Sequence, residues 1–471
     1  MTPDVPTSAA EATAAADAAT AARPPRPQRG DVLELHIDSL AFGGAGVARH
    51  EGGWVVFVGG ALPGDTVRAE VTKRKRHYGE ARLLKVVTPS LDRLEPVADH
   101  PGAPWQVMPY EKQLEIKAAQ VEDALRRLGH LDGFEMLPIV AADEQWRYRN
   151  KLEFSFGTGA GGELICGFHA PGSWEDIVHV EDCLLQSERG NEARRAVLEW
   201  ARAQGHTAYD RRSQLGELRN LVIREGRRTG ELQVRLVVSD GVEVDAGTLH
   251  AAVAADSLLV TSIETVGETT SGGSTERVAG EETITEELGG LTFKLGGQSF
   301  FQTNTEMAEK LYAVAAEMAG LAGWERVYDL FSGIGTIGLS LASKSGEVWG
   351  LEIVEEAIAN AIDNAKANNI SNAHYFAGDV RLALRDLVEK AGRPDVIVVD
   401  PPRAGLSQKV VRRVLEASAK RIVYVSCNPT TLAPNAAQMT EAGYVLKAVR
   451  PVDMFPQTPH IECVALLERG E

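Results

Sequence analysis

The stretch RVYDLFSGIGTIGLSLAS, Arg326 to Ser343, decides the fold of the C-terminal part of the chain. A short run ending at Asp329-Leu330 has the length of a strand. It feeds a glycine-rich turn, Gly333-x-Gly335-x-x-Gly338, and then a run with helical spacing. Small residues in such a turn let a ligand approach the backbone and the start of the helix. Working outward, EVWGLE ends in Glu352, where the ribose diol of a nucleotide lies in folds of this kind. AHYFAGDV ends in Gly378-Asp379, DVIVVDPPRAG in Asp400-Pro401-Pro402, and RIVYVSCNP in Cys427. Strand-length runs alternate with longer helical ones, which predicts a doubly wound α/β sheet with most strands parallel. YVLKAVRPVDMF and ECVALLER, joined by a short loop, are expected to pair as an antiparallel hairpin.

Acids at the tips of the first four strands would surround the crevice at the switch point of that sheet. A lone GxGxxG fits dinucleotide enzymes too. The acids and the Pro-Pro turn after the fourth strand resemble the Rossmann-like S-adenosylmethionine-dependent methyltransferases more than dehydrogenases.

Composition bounds the rest. At 471 residues, with 44% apolar and 24% charged residues, the chain is expected to form two or three soluble domains. No apolar run approaches the length of a membrane helix, and the N-terminus lacks the pattern of an export signal, so a cytoplasmic protein is expected. The four cysteines (Cys166, Cys183, Cys427, Cys463) are too few and scattered for a disulfide framework. A net charge of −17 argues against a surface coated for nucleic acid. It leaves room for a local basic groove, because phosphate responds to charge within roughly 8–10 Å.

Residues 1–28 are rich in Ala, Thr and Pro and read as a disordered tail. From residue 29 to about 90, β-branched runs alternate with Gly, Pro and Asp turns, which predicts a small five-stranded OB-like barrel. Its segment Arg68 to Lys85 carries Lys73, Arg74, Lys75 and Arg76 beside His77 and Tyr78, with only Glu70 and Glu80 in opposition. That is either a solvated hairpin tip or a grip on RNA. Residues 91–290 read as an α+β domain, with an amphipathic helix from Tyr110 to the Gly129 stop and another at 190–205. WRYRNK (146–151) and LRNLVIREGRR (218–228) are basic, but equally suit ordinary strand edges. The Gly-rich piece starting at Val266 reads as an exposed insertion, and residues 291–471 hold the α/β domain.

Cys427 needs a reason, since a lone cysteine at a strand end is ordinarily buried filler. No second Cys or His lies at ligand spacing, so a metal role fails. A thiolate beside a methyl donor has one well-defined use. It adds to carbon 6 of a pyrimidine and makes carbon 5 nucleophilic. A general base must then remove the carbon-5 proton. VDMFPQTPHIECVALL offers Glu462, with Asp453 and His460 as competitors.

DLFSGIGTIGL, VDPPRAGL, VYVSCNPTTL and PVDMFPQTPHIECVALL, preceded by GGQSFFQTNTEMAEKLY, together resemble the RNA uracil-5-methyltransferase family. The barrel, with GGAGVAR and VGGALPGD, resembles that family's TRAM domain. The resemblance implies Cys427 as nucleophile and Glu462 as base. It implies S-adenosylmethionine contacts from Gln302, Phe331, Thr336, Glu352, Asp379 and Asp400, and places Asp400 and Arg403 near the target base. RNA cytosine-5 methyltransferases carry their nucleophilic cysteine directly after the Pro-Pro, where this chain has Arg403. Many relatives hold a [4Fe–4S] cluster on three closely spaced cysteines and a fourth further on. VADHPGAPWQVMPYEKQLEIK has none, and Cys183 alone cannot hold a cubane, so no iron–sulfur cluster is expected. The expected partner is ribosomal or transfer RNA, with no membrane and no obligate protein partner. Two rivals remain: an exocyclic-amino methyltransferase working through Asp400-Pro401-Pro402, and an RNA-binding protein with a retired catalytic domain.

Overall fold

A computed structural model describes residues 26–264 and 272–470. The expected tail lies outside the described residues up to position 25. The chain divides into two compact units, Met1–Arg93 and Leu94–Glu471.

The first unit is a β-barrel of six strands rather than five, one of them only two residues long (Ser39–Leu40). Alternation along Trp54–Gly59 and Thr66–Arg74 turns Val56, Val58, Val67, Ala69 and Val71 inward onto Trp54 and Ile37. The long hairpin Thr66–Arg74 and Tyr78–Thr88 carries the basic tip.

Among its described residues the second unit contains three sheets. A seven-stranded sheet runs from Ile177–His179 to Ser274–Gly280. Two expectations change here. LRNLVIREGRR supplies a central strand, Leu218–Glu225, flanked by Lys151–Thr158 and Leu232–Ser239, so it is not an edge. Its Arg224 is buried because its guanidinium donates to the carbonyls of Gly296 (3.3 Å) and Ser299 (2.5 Å). The Gly-rich piece after Val266 is not all insertion: Ser274–Gly280 pairs antiparallel with Ser257–Ile263, while 265–271 lies outside the described residues. A hairpin, Thr283–Leu288 with Leu291–Gly296, follows.

The eight-stranded sheet holds the glycine turn. Its order is Ala373–Ala377, Glu347–Glu352, Arg326–Leu330, Val396–Val399, Arg421–Ser426, Glu462–Arg469, Tyr444–Val452 and Glu135–Met136. The first five strands are parallel and Glu462–Arg469 is antiparallel to both neighbours. The order reverses beside Arg326–Leu330, so a crevice opens beyond the carboxyl ends of that strand and Val396–Val399. The helix Tyr110–Asp123 continues through a wider turn, Ala124–Leu128, and stops at Gly129 as expected.

Candidate active site

The strand ends bring Cys427 and Glu462 together. Ser426 pairs with Cys463 across antiparallel strands. One step further along the same register sets Cys427 opposite Glu462, and opposed residues share a face. The sequence after the cysteine fixes that tip. Asn428 caps the helix Pro429–Glu441 by accepting from Thr430 N (3.1 Å), with Pro429 in the first turn. The Asn428 amide nitrogen donates to Arg403 O (3.0 Å), which ties the cysteine turn to Asp400-Pro401-Pro402-Arg403.

A cavity of about 590 Å³ lies over these ends. Gln302, Phe331, Thr336, Glu352, Asp400, Arg403, Cys427 and Glu462 all line it. Asp379 does not. It borders a smaller cavity of about 260 Å³ that shares Phe331 and Pro402 with the first. Asp379 also caps the helix Val380–Ala391 and is engaged by Arg381 Nε at 2.8 Å. The Arg381 guanidinium holds that carboxyl below its usual range. Lys73, Arg74, Lys75 and Arg76 sit exposed on the barrel hairpin, and Lys73 pairs with Glu80 at 2.7 Å.

Phe331 adopts the left-handed region (φ 65°), as do Gly333 (52°) and Gly335 (85°). A non-glycine residue held there signals a locally strained backbone. It also folds the turn tightly over the sheet: Phe331 N donates to Leu351 O (2.9 Å), and Gly333 N donates to a Glu352 carboxylate oxygen (3.1 Å). The other Glu352 oxygen accepts from the amides of Ile353 (2.8 Å) and Val354 (3.0 Å). Two buried polar atoms on this wall, Asp329 Oδ1 and Ser332 Oγ, have no hydrogen-bond partner. Buried polar groups are rarely left so, and the pair suits a polar ligand in the crevice.

Charge is concentrated at the other end. Burial, then the Asp400 charge, raises the Glu462 carboxyl well above its ordinary value, while Arg403 pulls it down. Asp400 is pushed up to about 7 by burial and by Asp329. Burial and these carboxylates push the Cys427 thiol up to about 11, with Arg403 again opposing. Burial and the cations Arg403, Arg149 and Lys117 take His460 down to about 4, so it is neutral at pH 7. Asp453, the other competitor for the role of base, is committed elsewhere. It is fully buried, paired with Lys117 Nζ at 2.6 Å, and accepts from the Tyr110 hydroxyl at 2.8 Å.

That pair clamps the loop between the last two strands. Lys117 also donates to Phe455 O (3.1 Å), Tyr148 OH to Pro456 O (2.9 Å), and Gln113 Nε2 to Gln457 Oε1 (2.8 Å). Sequence reasoning missed Arg149, Phe300 and Phe455, which line the cavity, and the clamp behind them. Arg149 lies over the Phe455 ring at 5.2 Å, and Phe300 is 68% exposed on the wall. One signal was present: Gln113, Lys117 and Val121 are spaced by four on the buried face of their helix. A lysine in that stripe demands a buried partner.

Among the described residues, no group of three or more His, Cys, Asp or Glu could hold a metal ion. Cys183 is buried with its sulfur 3.2 Å from His100 Nε2. No described helix is long and apolar enough to cross a membrane.

Comparison with known proteins bears on the family. Residues 110–470 match the tRNA (Uracil-5-)-methyltransferase family and residues 26–84 the TRAM domain. An uncharacterized RNA methyltransferase of Halalkalibacterium halodurans is 39% identical over 93% of this chain and 97% of its own length. One from Bacteroides thetaiotaomicron is 40% identical over 88% and 96%. The crystal structure of Pyrococcus abyssi tRNA (uracil-54, C5)-methyltransferase in complex with S-adenosyl-L-homocysteine superposes with a TM-score of 0.76. It is 28% identical and covers 92% of this chain and 100% of its own.

Proposed function

The chain belongs to the tRNA (uracil-5-)-methyltransferase family, and from that premise we propose that it methylates carbon 5 of a uridine in ribosomal or transfer RNA. The observation that carries the reading is the register that sets Cys427 opposite Glu462 in the cavity that also holds the glycine turn. The TRAM barrel and its Lys73–Arg76 tip grip the RNA backbone, and the target uridine is splayed out of its stack into the crevice.

The glycine-turn wall fits S-adenosylmethionine: it offers the Glu352 carboxylate, the unpartnered Asp329 and Ser332 oxygens, and Gln302, Phe331 and Thr336. When bound, that cofactor supplies an electrophilic methyl group for carbon 5. The protein's own residues do the rest. Cys427 Sγ bonds to carbon 6, and the electron pair of the 5,6 double bond moves onto carbon 5 and its carbonyl. After carbon 5 is methylated, Glu462 takes its proton. The pair left behind rebuilds the double bond and expels the sulfur. A thiol pushed up to about 11 keeps its proton in the free cavity. Attack therefore requires that proton to pass to the solvent as the uracil binds, and the thiolate expelled at the end takes one back from it. Arg403, whose charge favours both the thiolate and the Glu462 carboxylate, assists. The carboxyl of Glu462, held well above its ordinary value, must likewise be ionised before it can serve as base, and it then holds firmly the proton it takes.

The test is a covalent trap. Protein, S-adenosylmethionine and 5-fluorouridine-substituted ribosomal or transfer RNA are mixed and run on a denaturing gel. Fluorine cannot leave carbon 5 as a proton does, so an adduct is expected to persist with one RNA class and to vanish in Cys427→Ala. Methyl transfer to unsubstituted RNA with no adduct on either class would sink the thiolate mechanism. It would favour amino methylation through Asp400-Pro401-Pro402 instead.

A further inference from the structure

A second cavity, of about 620 Å³, lies apart from the one over Cys427. It opens on the seven-stranded sheet, between Lys151–Thr158, Leu164–His169, Ile177–His179 and the segment Ala208–Asn220. Its size falls within the roughly 300–1,000 Å³ of small-molecule sites. The reaction proposed above makes no use of it.

Its lining is a mixture of flat rings, cations and an incompletely bonded polar floor. Trp174 stands 55% exposed at the rim, and Arg219 stacks on Tyr209 with 4.1 Å between guanidinium and ring centre. On the floor Asn220 Nδ2 donates to Ser155 Oγ (3.1 Å), and Ser155 Oγ bonds His169 Nε2 (3.1 Å). His169 Nδ1 is buried with no partner. Burial and the charge of Arg211 lower the proton affinity of that ring, which keeps it neutral.

The carboxylates around the cavity are mostly spoken for. Glu175 accepts from Arg212 Nε (2.8 Å) and Asp176 from Ser173 Oγ (2.8 Å). Asp210 binds the amides of Arg212 (2.7 Å) and Ser213 (3.0 Å). Glu153 faces the buried cations Lys151 and Arg235. Arg211 is left exposed at the rim, its charge directed at the His169 floor.

Position matters as much as chemistry. The two basic stretches singled out in the sequence meet here: WRYRNK runs into the strand Lys151–Thr158, and LRNLVIREGRR supplies Arg219 and Asn220. Arg149, just before that strand, lines the active cavity, and Ser155 lines this one. Six residues of extended chain span roughly 20 Å. That equals about six stacked nucleotides of a strand rising 3.4 Å each, and fewer if the strand is extended.

We propose that this groove is a second RNA subsite, taking one unpaired nucleotide of the substrate strand a few positions from the target uridine. Its base stacks on Trp174, its edge meets Asn220 and His169, and its phosphate meets Arg211. The inference rests on the RNA reading above, but concerns binding rather than chemistry. Stacking on an aromatic side chain tolerates any base, while the polar floor discriminates among base edges.

The test measures RNA affinity directly, by fluorescence anisotropy with the full chain and the RNA class identified by the trap. Trp174→Ala and Arg211→Ala are exposed-residue changes that leave the fold intact. Each is expected to weaken RNA binding about 5- to 100-fold. The rate at saturating RNA should not change. Trp324→Ala, a similarly exposed tryptophan at the opposite end of the catalytic strands, is expected to change nothing. With 4-thiouridine-substituted RNA, ultraviolet cross-links should map to peptides spanning 169–176 or 209–212. Unchanged affinity in both variants, with no cross-link in these peptides, would overturn the subsite while leaving the methylation reading intact. Cross-links and weakened binding in a protein that methylates no RNA would keep the subsite and sink the reaction.

Discussion

The two halves of the active cavity are built in opposite ways. Apart from Gln302, the glycine-turn half comes from one unbroken run, Arg326 to Val354, in which strand, turn, helix and second strand fold on each other. Its groups are held by neighbours in that run: Glu352 by the amides of Gly333, Ile353 and Val354, and Asp329 by Gly338 N at 2.8 Å. The other half, proposed to hold the nucleophile, is assembled from Arg149, Asp400–Arg403, Cys427 and the segment Phe455–Glu462. There a thiol and two carboxyls crowd together, and one exposed arginine opposes them. A local half can be replaced piece by piece. A half gathered from distant segments fails when any support fails.

The sharpest way to test this division is Glu462→Gln. The amide keeps the size of the side chain but cannot take a proton. Turnover is expected to fall at least about 100-fold. S-adenosylhomocysteine binding should not change, because the glycine-turn half is untouched. The reaction should stall after methylation, so that ordinary RNA stays attached to Cys427 on a denaturing gel. Near-normal turnover would remove Glu462 from the chemistry and reopen the choice of base.

Legibility crossed that division. The run from Arg326 to Glu352 could be read because strand, glycine turn and helix are local patterns, and the tip positions of Cys427 and Asp400 followed from the strand ends. Asp379 carries a local role as well. A tip acid read as a cofactor contact is also an N-cap before VRLALRD, and its carboxylate turns toward Arg381. Arg149 and Phe455 escaped because nothing local says that positions over 300 apart in sequence stack on each other. The strand Ser274–Gly280 escaped because the glycines around it and its own charges hid a pairing set by the buried strand beside it.

Lys117→Met strikes the nucleophile half from behind. Lys117 and Asp453 are both fully buried, and removing one partner of such a pair costs about 3–5 kcal/mol. The loop holding Phe455 and His460 is then expected to loosen, with a lower unfolding temperature and a lower methylation rate. S-adenosylhomocysteine affinity should hold. Replacing both partners, Lys117→Met with Asp453→Leu, should recover much of the stability, because no buried charge is left alone. If the single change weakens S-adenosylhomocysteine binding as much as it slows methylation, the two halves are one mechanical unit and the division fails.

The smallest expected effect is also the one that isolates charge from shape. Arg403 lowers the proton affinity of both Cys427 and Glu462. The thiol must lose a proton to attack and the carboxyl must be ionised to accept one, so the methylation rate should rise with pH from 6 toward 9. Arg403→Met removes the cation, raises both groups, and should move that rise to higher pH. Because Arg403 is exposed, solvent screens it, and the displacement should be under about one pH unit. Arg403→Lys keeps a charge and should restore most of the profile. A loss of rate that is equal at every pH, and that lysine does not rescue, would mean that Arg403 acts through the position of the base. The electrostatics of the nucleophile half would then rest on Glu462 and Asp400 alone.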